Sequence, residues 1–341
     1  MKRHLNTLFV TTQGAWLAKD GETVSVRADG ETLLRVPIHL LEGVVCFGNV
    51  TMSPFLMAHC AEHGVGVSFL TENGRFLARV EGPVSGNVLL RRTQYRWADD
   101  PHWTAELARA FVLAKIANGR LVLQRAARDH PGTAGDLRQA IEDMARSLEQ
   151  VEKADGVDTI RGLEGDAARS YFGAFDHLIV SEDSGFHFGG RSRRPPRDPT
   201  NALLSFVYTL LLHDVRSALE AVGLDPQVGF LHRDRPGRPG LALDLMEELR
   251  PFLADRLVLS LINRRQVTSS GFELRETGGV WMTDETRKTV LVAYQDRKKE
   301  EIRHPFLDER CTVGAISHIQ ALLLARAIRG DLDTYPPFFW R

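Results

Sequence analysis

The feature that most constrains this chain is a change in the spacing of its apolar residues at Gly82-Pro83. Before that point, short apolar or alternating runs are separated by turn dipeptides such as Asp20-Gly21 and Asp29-Gly30, a pattern typical of β-hairpins. After it, apolar residues recur every three or four positions, which is the period of a helix. The sequence therefore predicts an α+β protein, with a β-rich domain at residues 1–83 and a larger helical domain at residues 84–341.

Within the β-rich domain, the sequence predicts one short helix followed by a hairpin. Ser53 can cap the start of the helix, and Gly64 can end it. Residues 66–70 and 75–80 are then candidate strands, joined by the turn dipeptide Asn73-Gly74. The domain is therefore expected to consist of hairpins interrupted by a single helix.

In the helical domain, apolar stripes mark the predicted helices. The clearest stripe has spacings of four, three, four and three residues and consists of Leu137, Ile141, Met144, Leu148 and Val151. Similar stripes cover roughly residues 88–124, 159–175, 201–222, 241–263, 284–301 and 307–328. The segment GFELRETGGVWMT, residues 271–283, alternates around a Gly-Gly pair, so it predicts a small β-hairpin inserted among the helices.

Two loops between the predicted helices are rich in Gly, Pro and Arg. The first basic loop, FGGRSRRPPRDPTN, covers residues 188–201, and the second basic loop, RDRPGRPG, covers residues 233–240. Because so many helix and strand breakers exclude regular structure, both loops should be exposed. Candidates for contacts with a nucleic-acid backbone are Arg191, Arg193, Arg194, Arg235 and Arg238.

Composition limits the class of protein. Lys and Arg total 43 against 44 Asp and Glu, so the net charge gives no sign of nucleic-acid binding, and only the clustering of arginines does. The three cysteines are far apart and lack C-x-x-C spacing, so neither a disulfide framework nor a cysteine zinc site is expected. No window approaches the run of about 18 apolar residues that a membrane span needs, so we expect a cytoplasmic protein with no membrane partner.

Glu164 is the first candidate for chemistry, because it lies on a helical stripe four residues after Ile160 and should point inward. A buried carboxylate is normally protonated, paired with a cation or bound to a metal. Gly162 and Gly165 flank it and would allow a ligand to approach the helix closely. The alternative is a buried ion pair with an arginine such as Arg169.

His232, Asp244 and Glu247 are the second group of candidates. His232 ends the short apolar run QVGFL, which we expect to be extended, and a neutral imidazole there can bind a metal. Asp244 and Glu247 are three residues apart on one helix, opposite its apolar stripe, so both should face one cleft. Taken singly, the histidine is equally an ordinary surface or core residue and the acidic pair a solvated surface.

Together, Glu164, His232 and Glu247 form a ligand set that suits a hard divalent cation, either Mg²⁺ or Mn²⁺. Such an ion can polarise a phosphodiester oxygen and orient an attacking hydroxyl. The competing pair His59 and His63, in the order HCAEH, is not the H-E-x-x-H of a zinc peptidase, and helix packing explains it better. Neither G-x-x-x-x-G-K-[ST] nor G-x-G-x-x-G occurs, so the phosphate-binding loops of nucleotide hydrolases and dinucleotide-binding enzymes are absent from the sequence.

Five segments resemble the CRISPR adaptation integrase family, CRISPR-associated protein one, and look most like its type I-C form. The resemblance extends from end to end and rests on these segments: RHLNTLFVTTQGAWLAKDGETVSV, IRGLEGDAARSYF, RPPRDPTNALLSFVYTLL, GFLHRDRPGRPGLALDLMEELRP and YPPFFWR. It implies an N-terminal β-sandwich-like domain used for dimerisation and a helical catalytic domain. It also implies that Glu164, His232 and Glu247 are the metal ligands, supported by Asp244. Some relatives have aspartate at the position of Glu247.

The resemblance further implies the reaction and the partners. The 3′-hydroxyl ends of a short duplex, the prespacer, would attack the repeat DNA of a CRISPR array, with no nucleotide cofactor consumed. The same site would also cleave DNA. A homodimer is expected, two copies of which clamp a dimer of CRISPR-associated protein two in a heterohexamer, with CRISPR-associated protein four as a further partner. Two alternatives stay open: a metal-dependent nuclease of branched DNA repair intermediates, and a non-catalytic DNA-binding scaffold.

Overall fold

The structure is a computed structural model that describes residues 6–72, 74, 76–80, 82, 88–276 and 278–340. The N-terminal elements are β1 (Asn6–Val10), β2 (Trp16–Asp20), β3 (Thr23–Ala28), β4 (Glu31–Pro37), β5 (Leu41–Phe47), β6 (Thr51–Met52), α1 (Pro54–Glu62), β7 (Gly66–Leu70) and β8 (Phe76–Val80). The remaining elements are α2 (Val88–Asp99), α3 (Pro101–Asp129), α4 (Ala134–Glu152), α5 (Val157–Gly173), α6 (Pro199–Ala221), α7 (Gly240–Glu247), α8 (Arg256–Asn263), β9 (Phe272–Leu274), β10 (Val280–Met282), α9 (Asp284–Lys299), β11 (Glu301–Arg303), β12 (Arg310–Thr312) and α10 (Ile316–Arg329).

Two four-stranded sheets form the N-terminal region, with strand orders β4-β3-β2-β6 and β1-β5-β7-β8. The hairpins predicted at Asp20-Gly21 and Asp29-Gly30 are confirmed, since β2 pairs antiparallel with β3 and β3 with β4. Asp29 and Gly30 both have positive φ, as a two-residue hairpin turn requires. In the second sheet, β1–β5 and β5–β7 are parallel pairs that the turn dipeptides did not predict. The expected α+β fold with a β-sandwich-like N-terminal region is confirmed.

The second sheet contributes to two hydrophobic cores. Val44 and Cys46 of β5 pack with the first sheet and α1, whereas Val45 and Phe47 pack with the helices. This alternation follows from the two-residue period of a strand. The ring of Phe47 lies 5.8 Å from that of Phe206 on α6, so the sheet is the middle layer between the first sheet and the helical core.

Three predicted helical boundaries are corrected by the structure. The stripe at 88–124 is two helices, because Asp100 caps a new one and accepts a hydrogen bond from the His102 amide at 2.8 Å. The stripe at 241–263 contains a π-helical segment, Arg250–Asp255, whose second residue is Pro251, which has no N–H for the helical ladder. The stripe at 307–328 becomes helical only at Ile316, because its first residues belong to the β11–β12 ribbon.

The inserted hairpin is confirmed as β9–β10, in which Phe272 pairs with Met282. The hairpin of β7 and β8 is confirmed as well. Four predicted positions, Asn73, Arg75, Pro83 and Thr277, lie outside the described residues. The boundary between the two domains at Gly82-Pro83 therefore stays a prediction.

One helix corrects the expectation that no segment is apolar enough for a bilayer. Among the described residues, α6 has the length and the apolar composition that a membrane-spanning helix needs. However, 61% of its most apolar window is buried inside the protein. Leu203, Val207 and Leu211 are fully buried in the core that α6 shares with the second sheet. Its composition is therefore explained by its place at the centre of the fold.

A partly buried histidine joins α6 to the second sheet. Nδ1 of His213 lies 2.9 Å from Oγ of Ser68 on β7, and a Cβ on Gly43 of β5 would lie 2.9 Å from Nε2 of His213. Burial lowers the pKa of His213 to about 4, with the positive charges of Lys298 and Arg216 adding to the effect against the opposing charge of Asp214. The folded protein therefore holds His213 in its neutral form.

Acid should destabilise the protein through His213. As pH falls below about 6.5, the unfolded chain binds a proton at this residue before the folded protein does, so stability is lost until pH reaches about 4. Between pH 7.5 and pH 5 this residue should account for about 2 kcal/mol. Urea unfolding across this range should show a shallower loss for His213→Asn than for the wild type. Equal slopes for the two proteins would contradict the assignment, and His130→Asn, at an exposed position, is the control.

Candidate metal centre

Lys115 of α3 brings together two of the three predicted ligands. Its Nζ contacts Oε1 of Glu164 on α5 and lies 2.7 Å from Oε2 of Glu247 at the end of α7. The exposed fraction of the Glu247 residue is 3%, and the Glu164 side chain is 22% exposed. Two carboxylates that are remote in sequence thus share one cation in a largely buried site.

Glu247 is held in its charged form. Burial alone would raise its pKa, but the positive charges of Arg250 and Lys115 outweigh burial and lower the pKa well below its usual range. A guanidinium nitrogen of Arg250 lies 3.3 Å from Oε1 of Glu247. His232 bonds to Asp244, which precedes Glu247 by one helical turn on α7. A buried carboxylate that stays ionised needs a cation at this position.

Asp244 orients His232. It is fully buried, and its carboxylate accepts hydrogen bonds from the backbone amides of Phe230 at 2.6 Å, Leu231 at 3.0 Å and His232 at 3.0 Å. Nδ1 of His232 also lies 2.6 Å from Oδ1 of Asp244. Because an ionised carboxylate only accepts hydrogen bonds, Nδ1 carries the proton and Nε2 keeps the lone pair that a metal ligand needs.

The segment before His232 is irregular, which corrects the expected extended run QVGFL. Its amides bond to the Asp244 side chain rather than to another strand. This requires a very close approach to α7: the amide of Gly240 donates to the carbonyl of Gln227 at 3.0 Å, and a Cβ on Gly229 would lie 2.7 Å from Oδ2 of Asp244. Arg161 of α5 donates to the carbonyl of Leu231 at 2.7 Å, so the segment is fixed from both sides.

The structure agrees with one of the ordinary interpretations of the single residues and excludes another. Asp244 and Glu247 are buried, so they are not a solvated acidic pair. The ion pair that was the alternative for Glu164 is present, but its partner is Lys115, because Arg169 bonds to Asp166 at 3.0 Å. A Cβ on Gly162 or Gly165 would meet no described atom within 4 Å, so the space beside Glu164 that the sequence predicted is present.

The basic loops approach the same site. Arg191 and Arg193 of the first loop line a cavity that Glu164 and Lys115 also line, and burial lowers the pKa of Arg238 in the second loop. Arg193, Arg194 and Arg235 are exposed. Arg191 differs, because its guanidinium is half-buried and donates to Oδ1 of Asn201 at 2.7 Å within the first basic loop. That any of these arginines contacts DNA stays a prediction.

A cavity of about 570 Å³ opens beside Glu164 and is lined by Lys115, Tyr208, Arg250 and Asp255, among others. The hydroxyl of Tyr208 donates to Oδ1 of Asp255 at 2.6 Å, and burial raises the pKa of Asp255 to about 6 despite its tyrosine partners. Sequence reasoning did not find these four residues. Asp255 follows Glu247 by two helical turns, which is a signal that could have identified it. Nothing in the sequence around Lys115 distinguishes it from a surface lysine.

The donor atoms fit a divalent cation. Two carboxylates and one neutral imidazole suit Mg²⁺ or Mn²⁺, and the ammonium of Lys115 marks a position where one cation contacts both carboxylates. Among the described residues, the group whose ligand atoms all lie within 4.8 Å of one another is Glu22, His59 and His63. The ligand atoms of Glu164, His232 and Glu247 are farther apart than this, so they are not at coordination distance from a common ion. An ion at the centre would require the ammonium to move aside.

Comparisons with known proteins agree over the whole chain. The sequence model of the family described as CRISPR associated protein Cas1 matches residues 8–296. The chain is 58% identical to "CRISPR-associated endonuclease Cas1 1" of Chlorobaculum tepidum and 56% identical to "CRISPR-associated endonuclease Cas1 2" of Rhodospirillum rubrum, with 100% of each chain covered. It is also 35% identical to a "CRISPR-associated exonuclease Cas4/endonuclease Cas1 fusion" of Geobacter sulfurreducens, covering 98% of this chain and 60% of that one.

Solved structures share the fold. A chain of a "Cas6-RT-Cas1--Cas2 complex" superposes with a TM-score of 0.85 at 23% identity, covering 100% of this chain and 36% of that one. A CAS1 protein from Thermotoga maritima superposes with a TM-score of 0.82 at 22% identity, covering 96% of this chain and 97% of that one. By the family match and by the identity to full-length relatives, this chain belongs to the Cas1 family of CRISPR-associated proteins.

Proposed function

We propose that this protein is a divalent-metal-dependent integrase and endonuclease of CRISPR adaptation, which joins the 3′-hydroxyl ends of a prespacer duplex to the repeat DNA of a CRISPR array. Membership of a family of endonucleases implies a divalent metal requirement. The observation that carries the proposal is the contact of Lys115 with both Glu164 and Glu247 in a largely buried position, and the support comes from Asp244, which lies one helical turn before Glu247 on α7 and holds His232. Glu164, His232 and Glu247 are the proposed ligands of Mg²⁺ or Mn²⁺.

The bound ion would stabilise the charge that develops on the attacked phosphate and orient the attacking hydroxyl. The protein's own residues prepare the site for this. Asp244 keeps the proton of His232 on Nδ1, and Arg250 holds the Glu247 carboxylate in its ionised form. Lys115 balances the charge of the two glutamates until the site is loaded. The charge of Glu247 and the orientation of His232 are therefore set before DNA arrives, which lowers the reorganisation needed during reaction.

DNA would reach this site through the basic loops and the cavity. Arg193, Arg194, Arg235 and Arg238 are proposed to bind phosphates of the DNA backbone, which position the duplex without reading its sequence. Arg191 is proposed to order the first basic loop as well as to contribute charge, because its guanidinium is bonded inside that loop. The cavity beside Glu164 would hold the end of a strand next to the ligands.

The proposed assembly is a homodimer, two of which clamp a dimer of Cas2 in a heterohexamer acting on DNA. Structural relatives in a Cas1–Cas2 complex support Cas2 as partner, and the fusion relative from Geobacter sulfurreducens supports Cas4 as a further one. The N-terminal domain at residues 1–83 is the proposed dimerisation domain, and residues 84–341 the catalytic one. Cytoplasmic location and the type I-C form complete the proposal, in keeping with a DNA target inside the cell.

The proposed function is tested by comparing His232→Ala with the wild type in an assay of strand joining. A labelled duplex is incubated with a repeat-bearing plasmid, Cas2 and Mn²⁺, and joined product is measured on a gel. We expect His232→Ala to reduce joining by about 10²-fold. His39→Ala, at an exposed position on a different part of the fold, is the matched control and should join like the wild type.

Equal joining by His232→Ala and the wild type would remove His232 from the site. A nuclease of branched repair intermediates would cleave DNA with the same metal dependence but would form no joined product. A non-catalytic scaffold would bind duplex equally well after chelation of the metal and would leave the DNA covalently unchanged.

A further inference from the structure

A second cluster of potential metal ligands lies on elements that take no part in the metal centre. Glu22 is in the turn between β2 and β3, His59 is on α1, and His63 directly follows the end of α1, one helical turn beyond His59. One ligand atom from each residue can be chosen such that all three lie within 4.8 Å of one another. The sequence pattern HCAEH suggested helix packing alone, because the carboxylate of this cluster comes from Glu22 rather than from the neighbouring Glu62.

His59 supplies the observation that packing does not explain. It is 3% exposed, and its Nε2 has no hydrogen-bond partner among the described residues. Oε2 of Glu22 is 3.6 Å from this nitrogen, which is too long for a hydrogen bond. A buried polar atom left without a partner is unfavourable and needs a physical reason. A ligand on the side of Glu22 would provide one.

His63 is fixed in the form that binds a metal. Its Nδ1 lies 2.9 Å from the backbone oxygen of His59. Because a carbonyl oxygen only accepts hydrogen bonds, the proton is on Nδ1 and the lone pair is on Nε2. A backbone carbonyl bonded to the second nitrogen of an imidazole is the usual arrangement around metal-binding histidines. Nε2 of His63 lies 3.9 Å from Oε2 of Glu22, so its lone pair is on the side of the carboxylate.

The distances between the ligand atoms of this cluster are close to those between the ligand atoms of a bound metal ion. Two ligand atoms about 2.1 Å from a tetrahedral ion are about 3.4 Å apart. The distances from Oε2 of Glu22 to the two imidazole nitrogens, 3.6 Å and 3.9 Å, exceed that value by only a few tenths of an ångström. The side chain of Glu22 is 72% exposed and that of His63 is 40% exposed, so small rotations of both can close the remaining gap.

We propose that Glu22, His59 and His63 form a second metal site, distinct from the catalytic centre, that takes a divalent transition ion of the Zn²⁺ class. Two imidazoles and one carboxylate favour Zn²⁺ over Mg²⁺, which prefers oxygen ligands. Water fills the coordination positions on the exposed side. The ion ties α1 to the turn between β2 and β3, so its effect is on the stability of the N-terminal region rather than on strand transfer. This inference does not depend on the proposed function.

The test is a titration of the untagged, full-length protein with Zn²⁺ in the presence of excess Mg²⁺. Magnesium competes for the oxygen-rich centre of Glu164 and Glu247 and only weakly for two imidazoles. Calorimetry should show a Zn²⁺ site in the wild type that His63→Ala weakens by at least about 10-fold, the smallest effect expected from losing even an outer partner of a metal ligand. Glu22→Gln should weaken it as well.

Two exposed residues of the same types as the proposed ligands serve as matched controls. Glu62→Gln removes a carboxylate from the same helix, and His130→Ala removes a histidine elsewhere, so both should bind Zn²⁺ like the wild type. Zn²⁺ should also raise the melting temperature of the wild type and of both controls, but not that of His63→Ala. His63 is exposed, so its substitution is not expected to prevent folding. Zn²⁺ binding by His63→Ala with wild-type affinity, or a loss that Glu62→Gln reproduces, would overturn the proposal.

Discussion

Glu247→Gln is expected to lower strand transfer and DNA cleavage by about 10²-fold or more, because it keeps the shape of the side chain but removes the charge that a divalent ion would bind. The structure places this charge between Lys115 and Arg250, in a site where burial strengthens its interactions. Glu247→Asp should retain measurable activity, since it preserves the charge and shortens only its reach. Joined and cleaved products are measured together, at several Mn²⁺ concentrations.

Two controls make this result specific. Glu149→Gln changes an exposed glutamate on α4 in the same way and should leave both activities unchanged. Duplex binding by Glu247→Gln should stay near that of the wild type, because the arginines proposed to hold the backbone are untouched. Full strand transfer by Glu247→Gln at low Mn²⁺ would contradict the assignment of this residue as a ligand.

Asp244→Asn is expected to affect both stability and activity. The carboxylate accepts hydrogen bonds from three backbone amides, and an amide NH₂ at the position of Oδ2 would face the N–H groups of Phe230 and Leu231. Each buried N–H left without an acceptor costs about 1–3 kcal/mol, so the variant should lose about 3 kcal/mol of unfolding free energy. Calorimetric unfolding should show this as a lower melting temperature.

The same substitution should weaken catalysis by about 10- to 100-fold even where the protein is folded, because His232 loses the partner that keeps its proton on Nδ1. Asp234→Asn, at an exposed position of the second basic loop, is the matched control and should preserve both stability and activity. A variant with normal stability and normal strand transfer would show that Asp244 neither organises the loop nor orients the histidine.

Much of the fold follows from local signals in the sequence. Asp29-Gly30 predicted its hairpin because both residues tolerate positive φ, and the stripe from Leu137 to Val151 predicted α4 because its face is buried on one side. The parallel pairing of β5 with β1 and β7 had no local signal, since it joins strands separated by other elements. Periodicity also missed the π-helical segment at Pro251, where the apolar stripe continues although the hydrogen bonding changes.

The candidate site, like the fold, could be predicted only in part from the sequence. Glu164 could be selected from the sequence because a carboxylate on an apolar helical stripe needs a cation, and His232 and Glu247 because an imidazole and a carboxylate are suitable metal ligands. The meeting of Glu164 and Glu247 could not be predicted, because it depends on Lys115, which reaches from α3 to two other helices. Asp244 was recognised as one of two acids on a helix, but its bonds to the amides before His232 depend on how closely Gly229 and Gly240 allow two segments to approach.

The most direct test of the central claim is the position of a bound ion. Crystals of the full-length protein soaked in Mn²⁺ and measured at the manganese absorption edge would locate it by anomalous scattering. We predict a peak about 2.2 Å from oxygens of Glu164 and Glu247 and from Nε2 of His232, with the Lys115 ammonium displaced from between the carboxylates. Saturating Mn²⁺ with no peak at these three side chains, and Lys115 still contacting both glutamates, would contradict it.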